Sequence, residues 1–207
     1  MANMQDIIDS WNVAAVKDPA AIHPFRSVSE HAYWESGRLQ AQAMSHLVNK
    51  DDVILDMGCG DGRVAHGFYE RGISIIGADS SPEMLARLQK KCPGMETVIS
   101  NGADLPEVLE STGLPQVDML YCLAVLIHHD YESGAAMVEG MAKSVKTGGY
   151  LVLDWPYADM SKRPRERTWW CDVTVWDGAV QHGIAKRAGL VRCEDELMWN
   201  VYRKVGK

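Results

Sequence analysis

The stretch from Val53 to Arg63, Val-Ile-Leu-Asp-Met-Gly-Cys-Gly-Asp-Gly-Arg, limits what this chain can fold into more than any other. An apolar run stops at Asp56 and gives way to three glycines at alternate positions, the pattern of a buried strand, a tight turn and the start of a helix. Gly58, Gly60 and Gly62 carry no Cβ, so the turn can take backbone angles that other residues avoid, and a ligand can lie directly against its main chain. A pocket made of backbone follows. A helix starting near Gly62 would add free N–H groups and a partial positive charge that suit a carboxylate or phosphate. The dinucleotide fingerprint Gly-x-Gly-x-x-Gly does not match, because its third glycine would fall where this chain has Arg63.

Composition narrows the class. With 207 residues and 46% hydrophobic content the chain fits one globular domain, or one with a small cap, and can bury a sizeable core. A net charge of −7 and the lack of any long basic run argue against a protein that grips many phosphates, so nucleic acid is not the expected partner. The cysteines, at 59, 92, 122, 171 and 193, form no Cys-x-x-Cys pair, which leaves zinc ribbons and thioredoxin-like chemistry unsupported and fits a reducing compartment. The N-terminus lacks a basic start followed by an apolar core, and the longest apolar run, Met119 to Ile127, is far too short to span a bilayer. A cytoplasmic protein without a membrane partner is expected.

A second apolar strand, Ile73 to Asp79, also ends in an acid, and Ser81 and Pro82 then read as the N-cap and first position of a helix. The pattern Asp-x-Gly-x-Gly-x-Gly at Asp56 to Gly62, followed by Asp-Ser-Ser-Pro-Glu-Met at Asp79 to Met84, resembles class I S-adenosylmethionine-dependent methyltransferases, and among these the small-molecule enzymes. The resemblance implies an α/β fold, a doubly wound, seven-stranded, mostly parallel Rossmann-like sheet with an N-terminal helical cover. Residues 1–50 would form the cover and 51–207 the S-adenosylmethionine-binding domain, with a substrate-side insertion at about 156–178. It further implies that Asp56 sits near the methionine end of the cofactor and that Gly58, Cys59, Gly60 and Gly62 make room for it. Asp79, with Ser80 beside it, would accept hydrogen bonds from the ribose hydroxyls.

The third strand, about Glu96 to Ser100, runs into Asn101-Gly102-Ala103-Asp104-Leu105-Pro106. Related enzymes carry an Asp at the position of Asn101, where it accepts from the adenine amino group while the next N–H, here on Gly102, meets a ring nitrogen. The Asn side-chain oxygen can still accept, and Asp104 is the rival acceptor. Val117 to Cys122 reads as the fourth strand, so Leu123 should line the reacting region. Val125-Leu126-Ile127-His128 is similar to the family's Val-Leu-x-His stretch. His128 is the candidate catalytic base, a role for which a pKa near 6.5 suits an imidazole; the alternative is that it ties a loop to the sheet. His129 is expected to be exposed and on the substrate side. His128, His129 and Asp130 are set aside as a metal cluster, since neighbours on one loop rarely converge on one ion.

Residues 7–16 carry an amphipathic hint, and Ser29 reads as the N-cap of a helix running to about Asn49, with Trp34, Leu39, Ala43, His46 and Leu47 on one side. In related enzymes such helices close over the cofactor, which makes Arg38 a candidate carboxylate contact and Trp34 a candidate substrate contact. A helix from Tyr131 to Lys146 leads through Thr147-Gly148-Gly149 into the fifth strand. Asp154-Trp155-Pro156-Tyr157 resembles the Asp-Pro-Pro-Tyr motif of amino-group DNA methyltransferases, but it follows the wrong strand and has one proline too few. Trp155, Tyr157 and Trp169 are candidate substrate contacts, the last in a basic and aromatic segment whose Arg forks and indole faces could grip an acceptor. A helix from Asp177 to about Gly189 and strands at 190–196 and 198–204 close the sequence. The expected activity is methyl transfer from S-adenosylmethionine to O, N or S of a small-molecule acceptor. The rivals are an RNA methyltransferase, a non-methylating user of the same cofactor and a non-catalytic S-adenosylmethionine-binding subunit.

Overall fold

The computed structural model describes residues 4–17, 29–155 and 174–206. Strands β1 (Val53–Met57), β2 (Ser74–Asp79), β3 (Glu96–Ile99), β4 (Val117–Cys122) and β5 (Val145–Leu153) pair in parallel, and β6 (Leu190–Arg192) and β7 (Asn200–Lys204) form an antiparallel edge. The sheet order β3-β2-β1-β4-β5-β7-β6 starts at β1 and steps outward to both sides. That reversal opens a crevice beyond the carboxyl ends of β1 and β4, the place where open α/β sheets hold ligands. The last two strands are shorter than expected from sequence, with residues 193–199 forming their connection.

Alternation along the strands divides the core into two layers, because successive side chains leave a strand on opposite faces. Leu55, Met57, Ile76 and Leu120 pack with α5 (Leu105–Thr112), α6 (Tyr131–Ser144) and α7 (Gly178–Arg187). Ile54, Ile75, Met119 and Tyr121 face α2 (Glu30–Met44), α3 (Ala65–Tyr69) and α4 (Pro82–Lys91). Three expected caps are present: Ser29 Oγ accepts from Ala32 N, Ser81 Oγ from Met84 N and Asp177 Oδ1 from Ala179 N. Gly148 takes a φ of +86° within β5, so the Gly148-Gly149 pair is an irregularity inside the strand rather than a turn before it.

Helix α2 differs from its expected facing. Its buried residues are Tyr33, Gly37, Ala41 and Met44, whereas Leu39 is 54% exposed. The reason is close backbone approach: a Cβ on Gly37 would meet the carbonyl of Arg63, and one on Gly67 would meet Ala41. Small residues let α2 lie against the segment after β1, a signal that hydrophobic periodicity does not carry. Trp34 consequently turns away, with the Lys91 ammonium 4.4 Å above its ring and His66 against its edge. Trp155 is core as well, 4% exposed and packed against Trp176 at 5.3 Å between ring centroids with the rings inclined at 59°. Tyr157 and Trp169 lie outside the described residues. Among the described residues no helix is long and apolar enough to cross a membrane.

Candidate functional site

A cleft opens at the carboxyl ends of β1, β2 and β4. The glycine turn forms its base. Gly58 N and Cys59 N donate to Ala78 O at 2.7 and 3.1 Å, stitching the turn to β2, and Gly58 and Gly60 adopt φ of +76° and +56°. A Cβ on Gly58 would run into Val125, whereas one on Gly60 would stand in open space within the cleft. Gly62 has a different task from the one expected. Its N–H donates to Cys59 O, its carbonyl accepts from His66 N, and it does not line the cleft. Helix α3 begins only at Ala65 and is five residues long, so no helix N-terminus is aimed at a ligand from Gly62.

Three carboxylates line the cleft, Asp56, Asp61 and Asp79. Asp79 Oδ2 accepts from Gly60 N and Oδ1 from Ser81 N, both at 2.9 Å. Burial pushes its carboxyl above the ordinary value of 3.8, and the backbone N–H groups of Ser81 and Gly60 pull it back. Asp56, also buried, accepts from Tyr121 Oη at 2.9 Å; desolvation pushes its carboxyl up to about 7, opposed by that hydroxyl and by Arg63. Asp61 is likewise raised by burial and accepts from Tyr33 Oη at 2.7 Å.

Arg63 is the cation of the cleft among the described residues. Its Nη1 donates to Ser36 Oγ at 3.0 Å and its guanidinium lies 5.7 Å from the Tyr33 ring centroid, so α2 is latched to the glycine turn by two side chains that sequence reasoning passed over. Arg38 is not in the cleft: it is half exposed and paired to Glu35, three residues before it on the same helix. Asp61 and Arg63 fall inside the glycine motif, and their acid and base character was the available signal.

The remaining walls come from three loops. Ser80 and Asn101 line the cleft as expected. The Asn101 side-chain oxygen, however, is taken up by the backbone N–H groups of Ala103 and Asp104, which leaves its amide N–H₂ as the group to offer a ligand. Asp104 is turned inward, accepting from Ser100 Oγ and Asn101 N, and Gly102 N donates to Ser100 Oγ; neither residue lines the cleft. Leu123, Ala124 and Val125 form the wall after β4. Ala124, at φ +58°, is the one non-glycine residue with positive φ among those described, and its N–H is held by Asp154 Oδ2 at 3.3 Å.

The two histidines reverse their expected placement. His128 ends a short 3-10 turn, does not line the cleft and meets the edge of Trp11, which does line it, at 5.5 Å between centroids. His129 is only 5% exposed and lines the cleft; its Nδ1 has no hydrogen-bond partner among the described residues, and burial holds its pKa below the ordinary value. Helix α1 (Met4–Lys17) brings Ile8 and Trp11 to the same wall.

Residues 54–149 match the family described as the methyltransferase domain. Over that span the chain is similar to S-adenosylmethionine-dependent methyltransferases. It is 30% identical over 112 residues to a ubiquinone biosynthesis O-methyltransferase of Alkalilimnicola ehrlichii, a match spanning 54% of this chain and 43% of that one. To a trans-aconitate 2-methyltransferase of Methylobacterium nodulans it is 32% identical over 120 residues, 55% of this chain and 41% of the relative. The chain thus spans less than half the length of these two relatives. Its fold is shared with the CcbJ methyltransferase of Streptomyces caelestis (TM-score 0.74, 16% identity, 99% of this chain and 100% of that one). It is shared also with the magnesium protoporphyrin IX methyltransferase of Synechocystis bound to S-adenosylhomocysteine (TM-score 0.72, 16% identity, 97% and 98%).

The residues of the cleft fit S-adenosylmethionine, the ligand type held by structures that share the fold. Space stands open over Gly60, and among the described residues three carboxylates against one arginine suit a ligand that carries a sulfonium and an ammonium with a single carboxylate. Without ligand that acidity has a cost. Asp56, Asp61, Asp79 and Asp154 all bind their protons more tightly folded than unfolded, so their contribution to stability is fully present below pH 3.8 and is lost as pH rises through their folded pKa values. For Asp56, a rise from 3.8 to about 7 corresponds to up to roughly 4 kcal/mol lost by pH 7.5. His129 acts with the opposite sign near pH 6.5. Urea unfolding of the ligand-free protein is expected to give greater stability at pH 5 than at pH 7.5, and Asp56→Asn is expected to flatten the difference. An unchanged slope in that variant would exclude Asp56 as its source.

Proposed function

We propose that the chain transfers a methyl group from S-adenosylmethionine to an oxygen, nitrogen or sulfur atom of a small-molecule acceptor. The observation that carries this reading is the pair of buried carboxylates, Asp56 and Asp79, at adjacent strand ends on either side of a glycine turn with open space over Gly60. Asp79 would hold the ribose hydroxyls, Asp56 the ammonium and Arg63 the carboxylate, with Cys59, Ser80 and Asn101 walling the nucleoside. When bound, the cofactor supplies an electrophilic methyl on a cationic sulfur. The work left to the protein is to hold an acceptor atom in line with that methyl in a dry cleft, between Leu123, Val125, Trp11 and His129. Small organic acceptors appear in the names of the trans-aconitate and ubiquinone-pathway relatives, and the excess of carboxylates in the cleft disfavours a phosphate-rich one.

Where the acceptor must lose a proton, His129 is the imidazole in position to receive it, and a lowered pKa keeps it neutral near pH 7. His128 would brace Trp11 from behind. Titration calorimetry with S-adenosylmethionine, followed by methyl-transfer assays on small carboxylates, phenols and sugars, tests the reading; absence of binding to folded protein would overturn it. With an acceptor in hand, His129→Gln is expected to lower kcat by about 100-fold or more while cofactor affinity stays unchanged. His128→Gln is expected to act chiefly on the acceptor's KM. Equal kcat losses in both would refute this division of roles.

A further inference from the structure

We propose that Tyr121 is a positioning residue for the cofactor: its hydroxyl holds Asp56 oriented, and as a carboxylate, for the ammonium group of the methionine moiety. This rests on the S-adenosylmethionine reading above. Tyr121 and Asp56 lie on β4 and β1, paired directly across the parallel ladder at Asp56↔Tyr121. Both side chains leave on the sheet face covered by α2, α3 and α4, and the register brings the phenol oxygen to Asp56 Oδ2 at 2.9 Å. Tyr121 is fully buried and Asp56 is 4% exposed, so water competes little for this bond. Asp56 reaches the cleft, whereas Tyr121 does not line it. The tyrosine therefore acts through the acid.

The surroundings explain why such a donor is needed. Asp79 from β2 and the Cys59 and Cys122 thiols stand near Asp56, and Arg63 is the cation that acts on it among the described residues. Left to burial and to Asp79, the carboxyl would keep its proton, and a neutral acid is a poor partner for an ammonium. The phenol hydroxyl, able to donate to a carboxylate, biases the group toward the charged form; the N–H of Ala65 adds a smaller pull in the same direction. Binding of a ligand with an ammonium should then drive any remaining proton off Asp56 into the buffer.

Two probes isolate this. S-adenosylhomocysteine and 5′-methylthioadenosine are both uncharged at sulfur and share the adenosine, but only the first carries the amino-acid group. Calorimetry between pH 5.5 and 7.5, where an α-amino group with pKa about 7.7 to 8.0 is largely protonated, reads affinity, and repeating it in buffers of different ionisation enthalpy counts protons. For wild type, homocysteine-ligand affinity is expected to fall up to tenfold per pH unit on the acid side, with a fraction of a proton released at pH 7 and none with methylthioadenosine. Tyr121→Phe keeps the ring against Phe68. It is expected to weaken S-adenosylhomocysteine about tenfold at pH 7, to raise the proton count toward one and to move the pH dependence upward, with methylthioadenosine affinity held within twofold. Asp56→Asn is expected to abolish the proton release, and this variant decides the matter if Tyr121→Phe does not fold. Equal losses for both ligands, an unchanged proton count in Tyr121→Phe or proton release persisting in Asp56→Asn would overturn the proposal. Failure of wild type to bind either ligand would instead overturn the cofactor reading.

Discussion

Asp79→Ala is expected to weaken binding of S-adenosylmethionine and S-adenosylhomocysteine by about 100-fold or more, the largest effect of any single change in the cleft. Hydrogen bonds to a charged group contribute roughly 1.5–3 kcal/mol each, so the loss of two ribose contacts to one carboxylate removes about 3 kcal/mol or more. The variant also removes one of the ties of the glycine turn to β2, from Gly60 N, and leaves Ser81 N without its acceptor. Asp79→Asn retains one acceptor oxygen and is expected to fall between the two. Calorimetry on protein shown to be folded by its thermal transition measures this; affinity within threefold of wild type would remove Asp79 from the site.

The second large effect separates two glycines that sequence alone treats alike. Gly58→Ala forces a Cβ into Val125 at a φ of +76°, and the left-handed strain of roughly 1–2 kcal/mol adds to an overpacking cost of roughly 1–3 kcal/mol. A loss of about 3 kcal/mol in a chain of this size lowers Tm by roughly 6–12 °C. Gly60→Ala meets nothing within 4 Å, so only the backbone term of roughly 1–2 kcal/mol applies to stability. Its Cβ occupies the space left for the ligand, and the damage is expected in affinity, about tenfold or more. Thermal melts with parallel titrations distinguish the two variants; a Gly60→Ala protein that binds normally would show that the ligand does not lie over that residue.

Tight local patterns were legible before the fold was known. Strands β1 and β2, the acids at or next to their ends and the Ser81-Pro82 cap of α4 follow from residues a few positions apart, and each is where the pattern puts it. The helix after Gly62 starts later than the pattern suggests because the N–H groups of the turn go to Ala78 O, the Asp79 carboxylate and Cys59 O before α3 begins. Trp34, Trp155 and Arg38 do not line the cleft, for a shared reason. An aromatic or basic side chain near a site in sequence says nothing of its direction, and these three turn to Lys91, to Trp176 and to Glu35 instead.

By itself the sequence determined the class of fold and the backbone cradle, since alternating strands, glycine spacing and capping are dictated by short-range sterics and hydrogen bonding. Only the tertiary structure decided which side chains furnish the cradle. Tyr33 and Asp61 are 28 positions apart, Asp56 and Tyr121 are 65 apart, and Trp11 meets His128 from the other side of the glycine motif. Such pairs arise from strand order and from the close approach of α2 through Gly37, properties of the packed sheet that no local window of residues contains.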